Sequence, residues 1–328
     1  IGAKVKEWDA NFRFGKGKIF ITEADEFFDN FLNYQPDVII LNNIELDHPD
    51  FFKSEEHVLD SFSKFVKNLK GKKVLIINQD SPGIKKLFSL LDKKFLSSIN
   101  ILGYTMAGKP KVNTPVSVRG EIINKDKNST TFSVKSADLE FNHNFKIKIL
   151  GEHNVANALG VIILAHIYKI GIAIIGESLS CYSGIGRRLE FIGTKRGVRV
   201  YDDYAHHPTE VAATLDALRQ KYKEQKIWVI VEPHSYSRTK VLLREYKGVF
   251  RFSDEVIIGP IFKARDKETF GISGQSIVEV AEHKNIQSVD SLEDILKPVR
   301  VNVKPSDVIV VMGAGESYKW ARQILKAI

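Results

Sequence analysis

Two stretches of this 328-residue chain concentrate groups that can move protons or hold anions. Residues 200–210 read VYDDYAHHPTE, which sets two carboxylates, a Tyr and two His between an apolar run and a helix start. Residues 232–240 read EPHSYSRTK and add a carboxylate, an imidazole, hydroxyls and two cations. Imidazoles beside carboxylates serve proton transfer, and a guanidinium with imidazoles suits a phosphate or carboxylate ligand. The alternative for the first stretch is a polar loop whose Asp side chains only cap backbone groups. Other groups are spread more thinly. EADE at 23–26 and NNIELDH at 42–48 bring Glu23 and His48, hard oxygen and imidazole donors that suit a divalent ion such as Mg2+ held with phosphates, or else a solvated acidic loop. GEHNVANALG at 151–160 places Asn154 and Asn157 three apart on one helix face with His153 beside them. Asn amides donate and accept together, as the edge of an adenine requires, and Asn154 at a helix start equally suits a cap. Arg187 and Arg188 follow the flexible GIG at 184–186 and suit either phosphate or a solvated surface.

The elements that must position these groups are legible from periodicity. Residues 198–201 are β-branched and aromatic, Pro208 fits a first helical position, and Val211, Leu215, Leu218 and Tyr222 mark one helix face. This places Asp202, Asp203, Tyr204, His206 and His207 in a βα loop, where open α/β sheets bind ligands. Further strands are expected at 227–231, 255–258 and 307–312, the last ending in a GAG turn more simply read as a tight strand-to-helix connection than as a nucleotide loop. In the first half, KIFI at 18–21, residues 38–41 and 74–77 read as strands, 54–69 and 82–91 as helices, and 115–150 as an antiparallel insert or meander. Strands alternating with helices imply mostly parallel sheets. The expected architecture is α/β: a central domain over 1–185 with an antiparallel insert, and a compact Rossmann-like domain over 186–328.

Composition narrows the classes. Hydrophobic content of 43% and charged content of 27% are those of an ordinary globular chain, long enough for about two domains. The net charge of +8 admits an anionic small substrate, and the absence of an arginine-rich block or aromatic RNA-binding signature argues against nucleic acid. The single cysteine, Cys181, excludes an internal disulfide and fits a reducing, cytoplasmic setting. The apolar run at 158–175 contains His166, Lys169, Gly160 and Gly171, and reads as a buried helix and turn rather than a membrane span.

Seven motifs occur in order: EADE at 23, NNIELDH at 42, GEHNVANALG at 151, RRLE at 187, DDYAHHPTE at 202, PHSYSRT at 233 and VMGAGESYK at 311. Together they resemble the Mur ligases of peptidoglycan synthesis over nearly the whole chain. The resemblance implies an ATPase-type central domain, ATP and Mg2+ as cofactors, and phosphorylation of the carboxylate of UDP-N-acetylmuramic acid to an acyl phosphate that an amine attacks. It implies that Glu23 and His48 ligate Mg2+, with His48 catalytic, and that His153, Asn154 and Asn157 hold adenine. Arg188 and Asp203 would reach ribose and phosphates, while His206, His207, His234 and Arg238 would position the amino acid and acyl phosphate. Arg188, His206 and Arg238 are the further catalytic candidates. The nucleotide would lie between two domains that close. The elements at 202 and 233 favour L-alanine as the amine donor, whereas NNIELDHPDFF at 42–52 is closer to relatives that attach a recovered tripeptide. Ser235 stands where these ligases often carry another Arg. The phosphate-binding loop G-x-x-x-x-G-K-[ST] does not occur in the chain and is expected just upstream of Ile1 with a UDP-gripping domain; on that expectation the chain alone has little ligase activity. A second expectation, of another class, is a non-catalytic nucleotide-binding module. No membrane partner is expected, and the oligomeric state, monomer or homo-oligomer, is left open.

Overall fold

The computed structural model describes all 328 residues, and they divide into two compact units, 18–183 and 184–328, with residues 1–17 joining the second. The first unit begins with a 3-10 turn at Phe27–Asn33 and then runs β1 (Val38–Leu41), α1 (Glu55–Lys67), β2 (Val74–Asn78), α2 (Pro82–Leu90), the single turn α3 (Lys93–Leu96) and β3 (Asn100–Thr105). It continues through β4 (Val116–Asp126), β5 (Ser129–Ser136), β6 (Phe141–Ile147), α4 (Glu152–Ile167) and α5 (Ile172–Cys181). The sheet order is β1-β2-β3-β4-β5-β6, parallel as far as β4 and antiparallel from β4 to β6. The antiparallel stretch therefore extends the parallel sheet as one surface. Gly120 in β4 lies under Leu159 and Met106, so α4 packs directly on the sheet there. The 54–69 pattern becomes α1, whose N-cap Ser54 accepts from the His57 N–H at 3.3 Å.

One expected strand is absent. KIFI at 18–21 has no ladder partner, and Ile19, Phe20 and Ile21 are exposed. β-branched residues form a strand only against a neighbour, and the ladder of this sheet starts at the pairing of β1 with β2.

The second unit runs β7 (Glu190–Lys195), β8 (Val198–Asp203), α6 (Pro208–Lys221), β9 (Ile227–Val231), α7 (Tyr236–Leu242), β10 (Glu255–Ile258), α8 (Gly274–Val280), β11 (Ile286–Ser288), α9 (Leu292–Asn302), β12 (Val308–Met312) and α10 (Ser317–Ala327). The sheet order β11-β10-β9-β12-β8-β7 is parallel except for β7 at one edge. Its central strands are apolar along both faces, and Val229, Ile230, Val310 and Val311 are wholly buried, as a sheet covered by helices on both sides requires. Residues 1–17 join this unit through a bridge from Val5 to Ile185 and a bond from the Gly186 N–H to the Lys4 carbonyl at 2.9 Å. The family-domain span expected to begin at residue 1 thus has its first segment packed on the second unit, and the chain passes from unit to unit at 183/184, two residues before the expected 185/186.

Candidate active site

The densest polar constellation lies at the carboxyl end of β8. Asp202 and Asp203 are not loop residues, as their spacing suggested: they close β8, with register partners Val311 and Met312 on β12. β12 pairs both in extended backbone and β7 pairs Asp202 as well, and the two are buried to 1% and 3% exposure. Asp203 accepts from the Leu189 N–H at 2.7 Å and from the Ala205 N–H at 2.8 Å. Burial pushes its carboxyl up to about 6, against the pull of those two N–H groups and of Arg188. Asp202 is raised for the same first reason, with Arg187 opposing; its Oδ2 accepts from Arg187 Nε at 3.1 Å, and its Oδ1 accepts no hydrogen bond.

Past Asp203 the chain turns into α6, and His207 forms its N-cap. The buried His207 ring accepts the Thr209 N–H on Nδ1, and Glu210 returns a carboxylate to the backbone of His206 and His207. His207, expected to touch substrate, therefore has a structural duty at the start of α6. His206 instead turns toward the site. Its Nδ1 lies 2.8 Å from the Tyr204 carbonyl and 3.3 Å from Glu210 Oε2, both acceptors, so Nδ1 carries a hydrogen and a neutral ring presents Nε2 as acceptor. The His206 ring meets that of His234 edge-on at 5.7 Å, and His234 stacks on Phe262 at 5.3 Å. Burial raises the Glu210 carboxyl, but His206 and then Arg188 outweigh it and hold it well below the usual carboxylate range. Arg188 Nη1 sits 3.6 Å from Glu210 Oε1 and its guanidinium lies 5.4 Å from the Tyr204 ring centre. Arg188, Asp203, His206 and His234 are thus gathered at one sheet end. Arg238, on α7, is buried to 4% exposure, and its charge acts on the enclosed Tyr246 hydroxyl. Ser235, at the start of α7, contacts Ser237 Oγ at 3.0 Å, and Ser237 donates from its backbone and its hydroxyl to Asp266, both at 2.8 Å.

The GAG turn is a strand-to-helix connection whose anion position is already filled. Glu232, at the end of β9, accepts from the Glu316 and Ser317 N–H groups at 3.1 Å, at the amino end of α10. A Cβ at Gly313 would come within 2.8 Å of Glu232 Cβ, and one at Gly315 within 2.5 Å of Phe262, so both glycines are set by this close approach.

In the first unit, His48 Nε2 lies 3.4 Å from Glu26 Oε1 and 3.9 Å from Asp47 Oδ2. The carboxylate paired with His48 is thus Glu26 of the EADE run, while Glu23 is exposed. No three His, Cys, Asp or Glu side chains converge as a closed metal cage. The donors do suit Mg2+ as a partial shell, because that ion takes one or two carboxylates and completes its octahedron with waters and phosphates. At the amino end of α4, His153 and Asn157 are exposed, and Asn154 is half-buried with its Nδ2 donating to the Leu150 carbonyl at 2.7 Å. Gly151, with φ 99°, occupies the N-cap position. The alternative reading of Asn154 as the helix cap does not hold: the N-cap position carries no side-chain cap bond, and the Asn154 side chain donates to a carbonyl rather than accepting a backbone N–H.

Sequence reasoning gave Glu210 and Glu232 no role, and read Arg187 only as a phosphate ligand or a solvated cation, missing its bonds to Asp202, Gly313 and Ser317. Glu210 had a signal, a capping-box spacing of three from His207. Arg187 and Glu232 had none, because their partners lie 126 and 84 residues away.

Comparison with known proteins places the chain in a family. A family model described as Mur ligase middle domain matches residues 6–165, and one described as Mur ligase, glutamate ligase domain, matches 187–315. The UDP-N-acetylmuramate–L-alanine ligase of Acetivibrio thermocellus is 32% identical over 328 residues, covering 99% of this chain and 67% of that ligase. Among solved structures, the UDP-N-acetylmuramate-alanine ligase of Thermotoga maritima superposes with a TM-score of 0.65 at 21% identity, over 91% of this chain and 61% of that one. A MurF ligase of Thermotoga maritima in complex with ADP gives a TM-score of 0.65 at 15% identity, over 91% of this chain and 64% of that one. The chain thus spans about two thirds of its curated relative and less than two thirds of these solved ligases. With both domain models matched in order and this identity sustained over nearly its whole length, the chain belongs to the Mur ligase family.

Proposed function

We propose that this chain carries nucleotide- and amine-handling machinery of an ATP-dependent ligase that joins L-alanine to UDP-N-acetylmuramic acid in peptidoglycan synthesis. The observation that carries the reading is the gathering of Arg188, Asp203, His206 and His234 at the carboxyl ends of β8 and β9 in a chain so similar to L-alanine-adding ligases. In the proposed reaction a carboxylate oxygen of the sugar nucleotide attacks the γ-phosphorus of ATP and ADP leaves. The L-alanine amine then attacks the acyl carbon, phosphate leaves, and the nitrogen gives up a proton.

His206 Nε2 is oriented by the two acceptors at Nδ1 and takes that proton. His234 and Arg238 position the amino acid and the acyl phosphate. Arg188 faces the phosphates and Asp203 the ribose, while His153, Asn154 and Asn157 hold adenine. Glu23 and His48, with Glu26 beside them, would hold Mg2+, which when bound neutralises charge on the phosphates. The test is phosphate release from Mg·ATP with UDP-N-acetylmuramic acid, comparing L-alanine, glycine, L-serine and the tripeptide, for this chain and for the full reading frame that encodes it. L-alanine should be the best acceptor. Preference for the tripeptide would overturn the choice of amine donor, and no turnover in either form would replace the ligase by a nucleotide-binding module.

A further inference from the structure

The two adjacent arginines do different work. Arg188 is exposed at its tip and held only by a 3.6 Å ion pair and the face of Tyr204. Arg187 is locked. Its Nε donates to Asp202 at 3.1 Å, and its Nη2 donates to the Gly313 carbonyl at 2.6 Å and to Ser317 Oγ at 3.0 Å. Its guanidinium lies 5.0 Å from the ring centre of Tyr204 and 5.2 Å from that of Tyr318. Its backbone is fixed as well: the carbonyl accepts from the Tyr204 N–H at 2.7 Å and the N–H donates to Glu190 Oε2 at 2.8 Å. One side chain therefore ties the end of β8, the loop after it and the turn from β12 into α10.

Residues 187–189 need such a tie. Arg187 and Leu189 both adopt left-handed backbone, with φ of 57° and 45°, a conformation that non-glycine residues keep only when their surroundings impose it. Between them stands Arg188, and the Leu189 N–H is one of the two donors that hold Asp203. We propose that Arg187 is a positioning residue that sets Arg188 and Asp203 in register for an adenine nucleotide, an inference that rests on the nucleotide role assigned to those two residues above. A lysine cannot replace it, since one ammonium does not reproduce a planar fork held at Asp202, Gly313 and Ser317 between two rings.

The structural duty of Arg187 is separable from the positioning one. Arg187→Met leaves the Asp202 carboxylate buried with neither oxygen bonded, and Asp202→Asn in the same chain removes that charge. The test follows urea unfolding by tryptophan fluorescence and ADP affinity by calorimetry in the full chain. Arg187→Met should lower both stability and ADP affinity, the latter tenfold or more. Arg187→Met with Asp202→Asn should regain stability and keep the tenfold loss of affinity. Affinity that returns to within twofold of the parent along with stability would overturn the proposal and leave Arg187 a purely structural residue. Should the methionine variants not fold, Arg187→Lys, which keeps a cation near Asp202, should fold and bind ADP at least fivefold more weakly; unchanged affinity there also overturns the proposal. Arg188→Met separates the two layers of argument. If it weakens ADP while the double variant does not, only the positioning role fails. If it has no effect, or the parent chain binds no ADP, the nucleotide reading fails and the positioning role with it.

Discussion

Asp203→Asn gives the most direct physical test of the site. In the folded chain the Asp203 carboxyl titrates at about 6, from an ordinary value of 3.8, because it is 3% exposed. Between those two pH values the native state keeps a proton that the unfolded chain has released. The stability contributed by this group is therefore full below 3.8, falls as pH rises, and levels off above 6. The gap corresponds to about 3 kcal/mol, of which about 2.5 kcal/mol falls between pH 4 and 8. Asn cannot titrate. It also turns an NH2 toward the Leu189 or Ala205 N–H, a mismatch that costs about 1–3 kcal/mol at every pH. The two effects separate on the pH axis. All three tryptophans, Trp8, Trp228 and Trp320, lie in the unit that holds Asp203, so urea unfolding followed by their fluorescence reports on that unit. The stability advantage of the parent over the variant should shrink by about 2–3 kcal/mol from pH 4 to pH 8. A difference that is flat with pH, or that grows toward pH 8, refutes the argument that burial dominates this carboxyl.

Other perturbations follow from single contacts. Glu232→Ala removes the acceptor at the amino end of α10, so the variant should lose about 1–3 kcal/mol and gain more thermal stability from added phosphate than the parent does, as phosphate enters the vacated anion position; equal gains would deny that position. Gly83→Ala would drive a Cβ into the Ile44 carbonyl, and despite a helix-propensity gain of about 1 kcal/mol, overpacking should lower the stability of the 18–183 unit by a net of about 1–2 kcal/mol, read as faster amide exchange along α2. Asn154→Ala loses the bond to the Leu150 carbonyl, about 1 kcal/mol, and should weaken ADP more than the sugar nucleotide in binding titrations; equal weakening would reduce Asn154 to a helix-end role.

What the sequence disclosed was whatever a local period or spacing encodes. The apolar repeat from Val211 to Tyr222 marks α6, and the strands at 227–231 and 255–258 are apolar runs bounded by polar turns. Periodicity does not report a partner. KIFI carries a strand's composition yet pairs with nothing here, whereas Asp202 and Asp203 look like loop residues and are held in a strand because β12 runs beside them. The same limit applies to the site. Its residue types were legible, but the burial that raises Asp203 and the bond that commits Arg187 to Gly313 join segments more than a hundred residues apart. His207 shows the intermediate case: two adjacent histidines are chemically alike in sequence, and the Pro208 and Glu210 spacing is what makes one a cap and leaves the other facing the site.

The occupied amino end of α10 explains why this unit would take an anion with side chains. A glycine-rich turn leading into a helix ordinarily offers its N–H groups to phosphate. Here Glu232 accepts from them, and the glycines serve its close approach and that of Phe262. A phosphate arriving at this sheet end would meet guanidinium and imidazole groups, of which Arg188 is the more available because Arg187 is committed through Nε and Nη2 to Asp202, Gly313 and Ser317. Arg188 already faces Glu210, whose carboxyl stays ionised far into acid. On the proposed nucleotide role, an incoming anion would compete with that carboxylate, and binding at Arg188 would exchange one partner for another. Removing the competitor's charge with Glu210→Gln, which keeps an acceptor for the α6 cap, should tighten ADP in the same titration, and the gain should fade at high salt as the anion's attraction to Arg188 is screened. A Glu210→Gln chain that binds ADP no better than the parent at low salt would show that Arg188 does not exchange partners, and that the phosphates are met elsewhere.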